Sequence, residues 1–339
     1  MAKVTPLRKA DRIETAPARG KGYVRMPAEG ENGLFTQSWF VVAFSSELAP
    51  GKVIGRDFLD GRIVVYRGQD GRAMAMSAYC PHVGADLQHG AVIGNNLRCP
   101  FHHFEYDQSG KCVKTGVGDP PPRAACLFKF PTQERFGMIW VFNGTKPLFD
   151  LPDFPYPDED LLVGSPYPAQ VLNCDPWVFS ANTPDMQHLK FVHNMKITGE
   201  DPHDKFKWDS FGFIYTYKGF DPGDVPVETT LAIRGTSIFY RSQIYGNFWR
   251  GSVTGFGLPR PGKLIVFAIN AVKKNSPKAA EELEISHRQS QRILSEDQHI
   301  MDNIHYRVGY LTKGDRSLSK FLTYVRKYPR AHPSADFIN

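Results

Sequence analysis

Two short segments of the sequence decide its fold, CPH at residues 80–82 and CPFH at residues 99–102. Each segment offers one cysteine and one histidine, and 16 residues separate His82 from Cys99. Thiolates and imidazoles are the side chains with which proteins hold zinc or a two-iron, two-sulfur cluster. Two matched segments of this kind predict a metal centre held between two loops at the edge of a small domain.

The order of the ligands distinguishes between these two kinds of centre. Structural zinc sites usually place two cysteines in one loop and two histidines in the other. Here each loop carries one of each type, and a single residue separates Cys80 from His82. In a Rieske cluster two cysteines hold one iron and two histidines hold the other. The arrangement favours that cluster, and a zinc-binding module is the alternative.

Residues 80–103 resemble the Rieske fingerprint in this respect. The resemblance implies a [2Fe-2S] cluster whose four ligands are Cys80, His82, Cys99 and His102. His103 and Phe104 depart from it, because many members of the family have glycine and tryptophan at these positions. The choice of His102 over His103 therefore rests on the Cys-x2-His spacing. Such a cluster has a higher potential than an all-cysteine ferredoxin, which suits electron delivery to an oxygen-activating iron.

A second group of metal-binding residue types lies in residues 182–193. His188 follows Asp185 by three positions, and His193 follows His188 by five. Residues five apart in a helix are displaced by about 140°, so both imidazoles can meet one ion only across a helix end or a π-type turn. A histidine pair alone leaves open whether it binds a metal or is an ordinary surface or core pair.

Downstream of a Rieske-like domain, this spacing resembles the catalytic iron motif of the aromatic-ring-hydroxylating oxygenase family. Mononuclear Fe(II) in that family needs two histidines and one carboxylate. We predict Asp297 as the carboxylate, because it falls on the apolar stripe of a predicted late helix, whereas Glu296 falls on the polar face. Asp302 is the alternative. The predicted stripe consists of Ile293, Ile300, Ile304, Val308 and Leu311, in a helix from about Ala279 to Leu311.

The resemblance also implies roles for the residues just before the histidines. It makes Asp185 a bridge that passes electrons from a cluster histidine of a neighbouring subunit to His188. The alternative is a helix-start carboxylate favoured by Pro184 and the helix dipole. Asn182 is predicted to support the iron site. The resemblance further implies a homotrimer, O2 as co-substrate, and electrons from NAD(P)H through a ferredoxin, a ferredoxin reductase or both.

The chain is predicted to be α+β, and the resemblance implies an all-β Rieske domain followed by a helix-grip domain of the START/Bet v1 type. The predicted divisions are an arm at 1–33, the Rieske domain at 34–145, a proline-rich linker at 146–160 and a mononuclear-iron domain at 161–339. Predicted strands lie at 39–44, 63–66, 73–78 and 138–142, with hairpins near Gly71 and Gly110 and a helix-like segment at about 182–193.

Composition limits the possible partners and location. The 41 basic and 35 acidic residues give a net charge of +6, and because the basic residues are scattered we do not expect nucleic-acid binding. No apolar run is long enough for a membrane span, and five cysteines without a disulfide pattern indicate the cytoplasm. A basic stretch at residues 313–330 is either a ferredoxin-docking surface or an ordinary solvated one.

The aromatic-rich strands of the second region favour a small hydrophobic or aromatic substrate. In chain length and in the spacing from Asn182 to Asp185, the sequence resembles the monooxygenase and demethylase branch of the family, which implies hydroxylation or demethylation. The alternatives are a ring-dihydroxylating dioxygenase and a Rieske electron carrier or ligand-binding protein without catalytic iron.

Overall fold

The computed structural model describes residues 25–304 and 311–339. Short antiparallel strands make up the N-terminal region. The first of them pairs with residues 330–331 near the C-terminus, and the others form sheets of order β10-β5-β4-β3, β11-β12-β2 and β6-β7-β8-β9. These strands are β1 (Phe35–Thr36), β2 (Trp39–Phe44), β3 (Val53–Phe58), β4 (Gly61–Arg67), β5 (Ala73–Ser77), β6 (Ala91–Ile93), β7 (Asn96–Arg98), β8 (Glu105–Tyr106), β9 (Cys112–Lys114), β10 (Lys129–Phe130), β11 (Thr132–Arg135) and β12 (Met138–Phe142).

The predicted strands of this region are present. β2 and β12 have the predicted bounds, and β4 and β5 overlap the segments predicted at 63–66 and 73–78. β4 pairs with β5, and β8 pairs with β9, so both predicted hairpins form. Gly71 and Gly110 have φ angles of 81° and 87°, a conformation that glycine adopts without strain.

The C-terminal region is built on one antiparallel sheet of order β13-β21-β20-β19-β18-β17-β15, which β14 joins beside β21 and β16 joins beside β17. Its elements are β13 (Leu161–Gly164), β14 (Gln170–Leu172), α1 (Pro176–Ser180), α2 (Met186–Phe191), β15 (Lys196–Thr198), β16 (Lys207–Asp209), β17 (Gly212–Phe220), β18 (Pro226–Arg234), β19 (Ile238–Tyr245), β20 (Phe248–Arg260), β21 (Lys263–Lys273), α3 (Ala279–Met301), α4 (Arg316–Lys327), β22 (Arg330–Ala331) and α5 (Ala335–Ile338). α3 lies against β13, β20 and β21, which confirms the predicted α+β, helix-grip architecture.

α3 differs from its prediction in length and in its buried face. α3 ends at Met301, so the prediction of a helix that continues to Leu311 was wrong for the residues that the structure describes. Residues 305–310 lie outside the described part of the chain. Ile300, placed on the predicted stripe, is 43% exposed, whereas Leu294 and Met301 are buried. The buried stripe therefore runs through Leu294 and Met301, which are seven residues apart and share a helix face, and it leaves Ile300 outside. Asp297 lies between them and stays on the buried face.

The two regions share one hydrophobic core. Trp140 and Val41 from the N-terminal strands pack with side chains of β19, β20 and β21. A Cβ at Gly255 would lie 2.3 Å from a methyl carbon of Val41 and 2.4 Å from the Trp140 ring, so glycine permits this contact. Phe149 and Phe154, from the predicted linker, are buried in the same core. The large sheet of the second region, where the mononuclear-iron site is predicted, therefore packs against the strands of the N-terminal region.

The predicted divisions at residues 33, 145 and 160 stay predictions. Residues 1–24 of the predicted N-terminal arm lie outside the described part of the chain. Within residues 25–33, Glu29 is buried and accepts a hydrogen bond from the backbone N–H of Thr36. Among the described helices, none is long and apolar enough to cross a membrane.

Candidate metal centres and cavity

The two cysteines of the first predicted centre lie in tight loops. Cys80 follows β5, and its backbone N–H donates to the carbonyl of Ala85, while the N–H of Gly84 donates back to the carbonyl of Cys80. Cys99 follows β7 directly, and its N–H donates to the carbonyl of Phe104. The Cys80 and Cys99 side chains are 2% and 1% exposed. The loops thus turn both thiols into the domain.

The two histidines of this centre lie on its outer side. The rings of His82 and His102 are exposed, and their centroids are 4.7 Å apart. Phe104 stacks on the His82 ring at 4.5 Å. Burial raises the pKa of the Cys80 thiol, whose Sγ lies 3.0 Å from the hydroxyl of Tyr106. Buried sulfur ligands and outer imidazoles fit a cluster with two different iron sites.

The backbone at His103 has a conformation that suits the glycine of the family pattern. Its φ angle is 56°, in the left-handed region that glycine adopts without cost. All three histidines are exposed, but within the described residues it is the His102 ring that contacts the ring of His82. The structure therefore pairs His102, not His103, with the other predicted cluster histidine.

The second predicted centre is built around the end of α2. Asp185 is the residue before the helix, and its Oδ1 accepts hydrogen bonds from the N–H groups of Gln187 at 2.9 Å and His188 at 3.0 Å. α2 ends at Phe191, and the N–H of His193 reaches the carbonyl of His188 at 3.4 Å, a contact of π-helical spacing. This helix end is the distortion that the five-residue spacing predicts.

The imidazoles of His188 and His193 meet the carboxylate of Asp297. The two Nε2 atoms are 2.9 Å apart, and Oδ1 of Asp297 lies 3.1 Å from the first and 3.4 Å from the second. In octahedral coordination with bonds of about 2.1 Å, adjacent ligands are about 3 Å apart. The three atoms therefore have the spacing of one face of an octahedron, the pattern of a two-histidine, one-carboxylate iron site.

Asp297 itself indicates that an ion belongs here. Its side chain is buried, at 3% exposure, and Oδ1 has no hydrogen bond of acceptable geometry within the described residues. An uncompensated buried carboxylate is costly, and a cation facing Oδ1 removes that cost. Among the described residues, His188, His193 and Asp297 form a group with all ligand atoms within 4.8 Å.

Glu296 also contributes to the centre, a role that the sequence reasoning missed. Its Oε2 lies 2.7 Å from Nδ1 of His193, and Arg292 donates to its Oε1 at 2.6 Å. This bond leaves Nε2 of His193 free for a metal, and burial lowers the pKa of His193, which favours the neutral ligand form. The sequence offered one sign of this role, because Arg292 lies four residues before Glu296, a spacing at which ion pairs form on a helix.

The structure also places the two other candidate residues, Asn182 and Asp302. Asp302, the alternative carboxylate, accepts from the backbone N–H of Asn173 at 3.1 Å and lies beyond the end of α3. Asn182 lines the same cavity as His188, with its Nδ2 atom 4.0 Å from the sulfur of Met301. The structure thus places Asn182 beside the three convergent residues and Asp302 apart from them.

A cavity between the large sheet and α3 adjoins this centre. His188, His193 and Asp297 form part of its wall. Of the aromatic residues expected to surround a substrate, Tyr217 and Phe239 line it, and most of the others pack in the cores. Sequence reasoning missed two arginines in this wall, Arg241 and Arg250; burial lowers the pKa of both.

The sequence matches the Rieske [2Fe-2S] domain family over residues 38–130. The chain is 25% identical over 300 residues to the oxygenase component of dicamba O-demethylase from Stenotrophomonas maltophilia, covering 73% of this chain and 87% of the relative. It is 30% identical over 205 residues to the cholesterol 7-desaturase nvd of Bombyx mori, covering 56% of this chain but only 44% of the desaturase.

The crystal structure of dicamba monooxygenase bound to dicamba superposes with a TM-score of 0.68 at 20% identity, covering 86% of this chain and 96% of that chain. This likeness concerns the fold. The fold and the loops around Cys80 and Cys99 define a Rieske-domain protein. Residues 38–130 carry a Rieske [2Fe-2S] domain, and the chain as a whole is similar to proteins named as oxygenase components.

Proposed function

We propose that this chain is the oxygenase component of a Rieske system that hydroxylates or oxidatively demethylates a small aromatic substrate in aromatic catabolism. Its cluster ligands are Cys80, His82, Cys99 and His102, and its mononuclear Fe(II) ligands are His188, His193 and Asp297. Electrons come from NAD(P)H through a separate ferredoxin, a ferredoxin reductase or both. O2 is the co-substrate.

The observation that carries this proposal is the convergence of His188, His193 and Asp297 at one end of a cavity. These two imidazole nitrogens and one carboxylate oxygen would hold the iron from one side, and the iron would supply the activation of O2 beside a substrate. An electron carrier without catalytic iron has no need of such a group. A zinc module is disfavoured by the Rieske match.

Asp185 is proposed to pass electrons between subunits of a homotrimer. It bonds to the backbone N–H of His188, so it lies next to a proposed iron ligand. It is half-buried and remains accessible from outside the chain. Its capping of α2 serves a second purpose, because the cap fixes where the helix begins and hence where His188 points.

The bound iron would supply the activation of O2, and the cavity walls would position the substrate. For demethylation of a methoxy group, the balance is R–OCH3 + O2 + 2 e⁻ + 2 H⁺ giving R–OH, formaldehyde and water. The sequence similarity to a chain named dicamba O-demethylase supports this reaction over ring dihydroxylation.

Reconstitution with a surrogate ferredoxin and reductase tests the proposal. A panel of methoxylated and unsubstituted aromatic compounds is offered with NADH and O2, and product mass and formaldehyde release are followed. We expect substrate-dependent NADH oxidation with one oxygen atom in the organic product. Incorporation of both oxygen atoms would show a dioxygenase, and two irons per chain instead of three would show an electron carrier.

A further inference from the structure

Arg241 lies in the part of the cavity wall that the large sheet contributes. It belongs to β19, where it pairs with Leu231 of β18 on one side and with Ser252 of β20 on the other. All three residues line the cavity, since directly paired residues of antiparallel strands share a face of the sheet. The residue is only 7% exposed. Its guanidinium group is therefore held on a rigid element and faces the space beside the proposed iron.

The guanidinium of Arg241 has no partner within residues 25–304 and 311–339. Its Nε and Nη2 atoms are both buried and make no hydrogen bond there. Elsewhere the fold satisfies a buried arginine fully: Arg67 donates to the two carboxylate oxygens of Glu134 at 2.6 and 2.8 Å. Arg241 lacks the counterpart of Glu134.

The charges around Arg241 do not compensate it. Arg250, a second buried cation, lies nearby and donates from Nε to Gln243 at 2.6 Å. The acid at this end, Asp221, accepts from the Tyr245 hydroxyl and from Gln289. Two further charged residues line the cavity, but Arg292 is paired with Glu296 and Asp297 is assigned to the proposed iron. Arg241 and Arg250 are thus left with the single carboxylate of Asp221. A buried, unpaired cation is strongly unfavourable, so an anion is expected to complete this end of the cavity.

We infer that the substrate is an aromatic carboxylate, and that its carboxylate binds the Nε and Nη2 edge of Arg241. The two atoms left without partners form one edge of the planar guanidinium, which matches the two oxygens of a carboxylate in a bidentate pair. Tyr217 and Phe239 offer apolar faces to the ring in the same cavity. This inference rests on the proposed function, because it names the substrate class of that site.

Binding measurements separate this inference from the oxygenase proposal, since they require no turnover. Benzoate and the 2-, 3- and 4-methoxybenzoates are titrated calorimetrically into the iron-loaded protein without reductase, and each is compared with its uncharged carboxamide. We expect the carboxylates to bind roughly 30-fold or more tightly than the amides. Equal or weaker binding of every carboxylate would overturn the inference, without any variant being needed.

Variants then assign the effect to the residue. Arg241→Gln should remove the preference for carboxylate over amide, Arg241→Lys should keep part of it, and Arg260→Gln, an exposed position on β20, should leave it intact. Without ligand, the Arg241 variants should melt no lower than the parent, because the side chain makes no hydrogen bond within the described residues. A fall of several degrees in both variants would assign Arg241 to the fold and overturn the inference.

If carboxylates bind through Arg241 but no oxygenated product forms in the reconstituted system, the oxygenase proposal fails while the anion site remains. If products form from neutral substrates and Arg241→Gln does not change their KM, the oxygenase proposal stands and the carboxylate inference fails.

Discussion

Nδ1 of His193 lies 2.7 Å from Oε2 of Glu296, the residue directly before Asp297 on α3. The side chains of neighbouring helix residues point about 100° apart, so Glu296 and Asp297 can make different contacts at the proposed iron site. The carboxylate of Asp297 faces the proposed ion position, whereas the carboxylate of Glu296 forms a hydrogen bond with the ring of His193. This hydrogen bond places the proton on Nδ1 and leaves Nε2 as the metal-binding nitrogen.

Replacing Glu296 should weaken iron binding without disturbing the cluster. Because hydrogen-bond partners of metal-bound histidines contribute to ligand orientation and basicity, Glu296→Ala should lower the affinity for mononuclear iron about 10- to 100-fold. Glu296→Gln should recover part of it, since the amide oxygen can still accept from Nδ1. Iron content after dialysis against a graded chelator measures the effect.

Glu284→Gln is the matched control, an exposed glutamate on the same helix. It should retain iron as the parent does. Unchanged retention in Glu296→Ala would mean that His193 needs no outer partner, and simultaneous loss of cluster absorption would indicate general unfolding.

Asp297 and Asp302 are distinguished by metal analysis. Asp297→Asn should retain two irons per chain out of three and lose turnover by at least about 100-fold, because the proposed site loses its charged ligand. Asp302→Asn should retain three irons, since Asp302 bonds to Asn173 and lies apart from the histidines. The reverse pattern would make Asp302 the ligand.

Sequence reasoning located the elements whose residues carry a strong local pattern. β2 and β12 were predicted with the observed bounds because both are runs of apolar and aromatic residues that the fold buries. The helix end between His188 and His193 followed from geometry, because a five-residue spacing cannot converge within a regular helix. These predictions depended only on neighbouring residues.

The cavity could not be predicted in this way. Arg241 lies in a strand of mixed aromatic and polar residues, and nothing local shows that its face opens on a cavity instead of a core. Glu296 was placed on the polar face of its helix, and its partner His193 is 103 residues earlier in the chain. Both roles depend on contacts between distant segments, which periodicity does not report.

The strained backbone at His103 provides a test of the cluster ligands. His103→Gly should keep the cluster's absorption and stabilise the protein by roughly 1 kcal/mol, because glycine adopts a positive φ without the Cβ clash. His102→Gly should lose the cluster's spectrum. Parallel absorption spectra and thermal melts of the two variants measure this, and loss of the spectrum in His103→Gly instead would reverse the assignment.

Asp185 has two proposed roles, a helix cap and an electron bridge, and asparagine separates them. Asparagine caps helices as well as aspartate does, so Asp185→Asn should leave the melting temperature and both metal centres unchanged. Asp185→Ala should lose about 1 kcal/mol of stability, because the N–H groups of Gln187 and His188 lose their acceptor.

If the carboxylate passes electrons between centres, turnover should fall steeply in both variants, while the cluster is still reduced at the parent rate in stopped-flow measurements. Full turnover in Asp185→Asn would show that electron transfer between the centres does not need the carboxylate. Helix capping would then be the remaining function of Asp185.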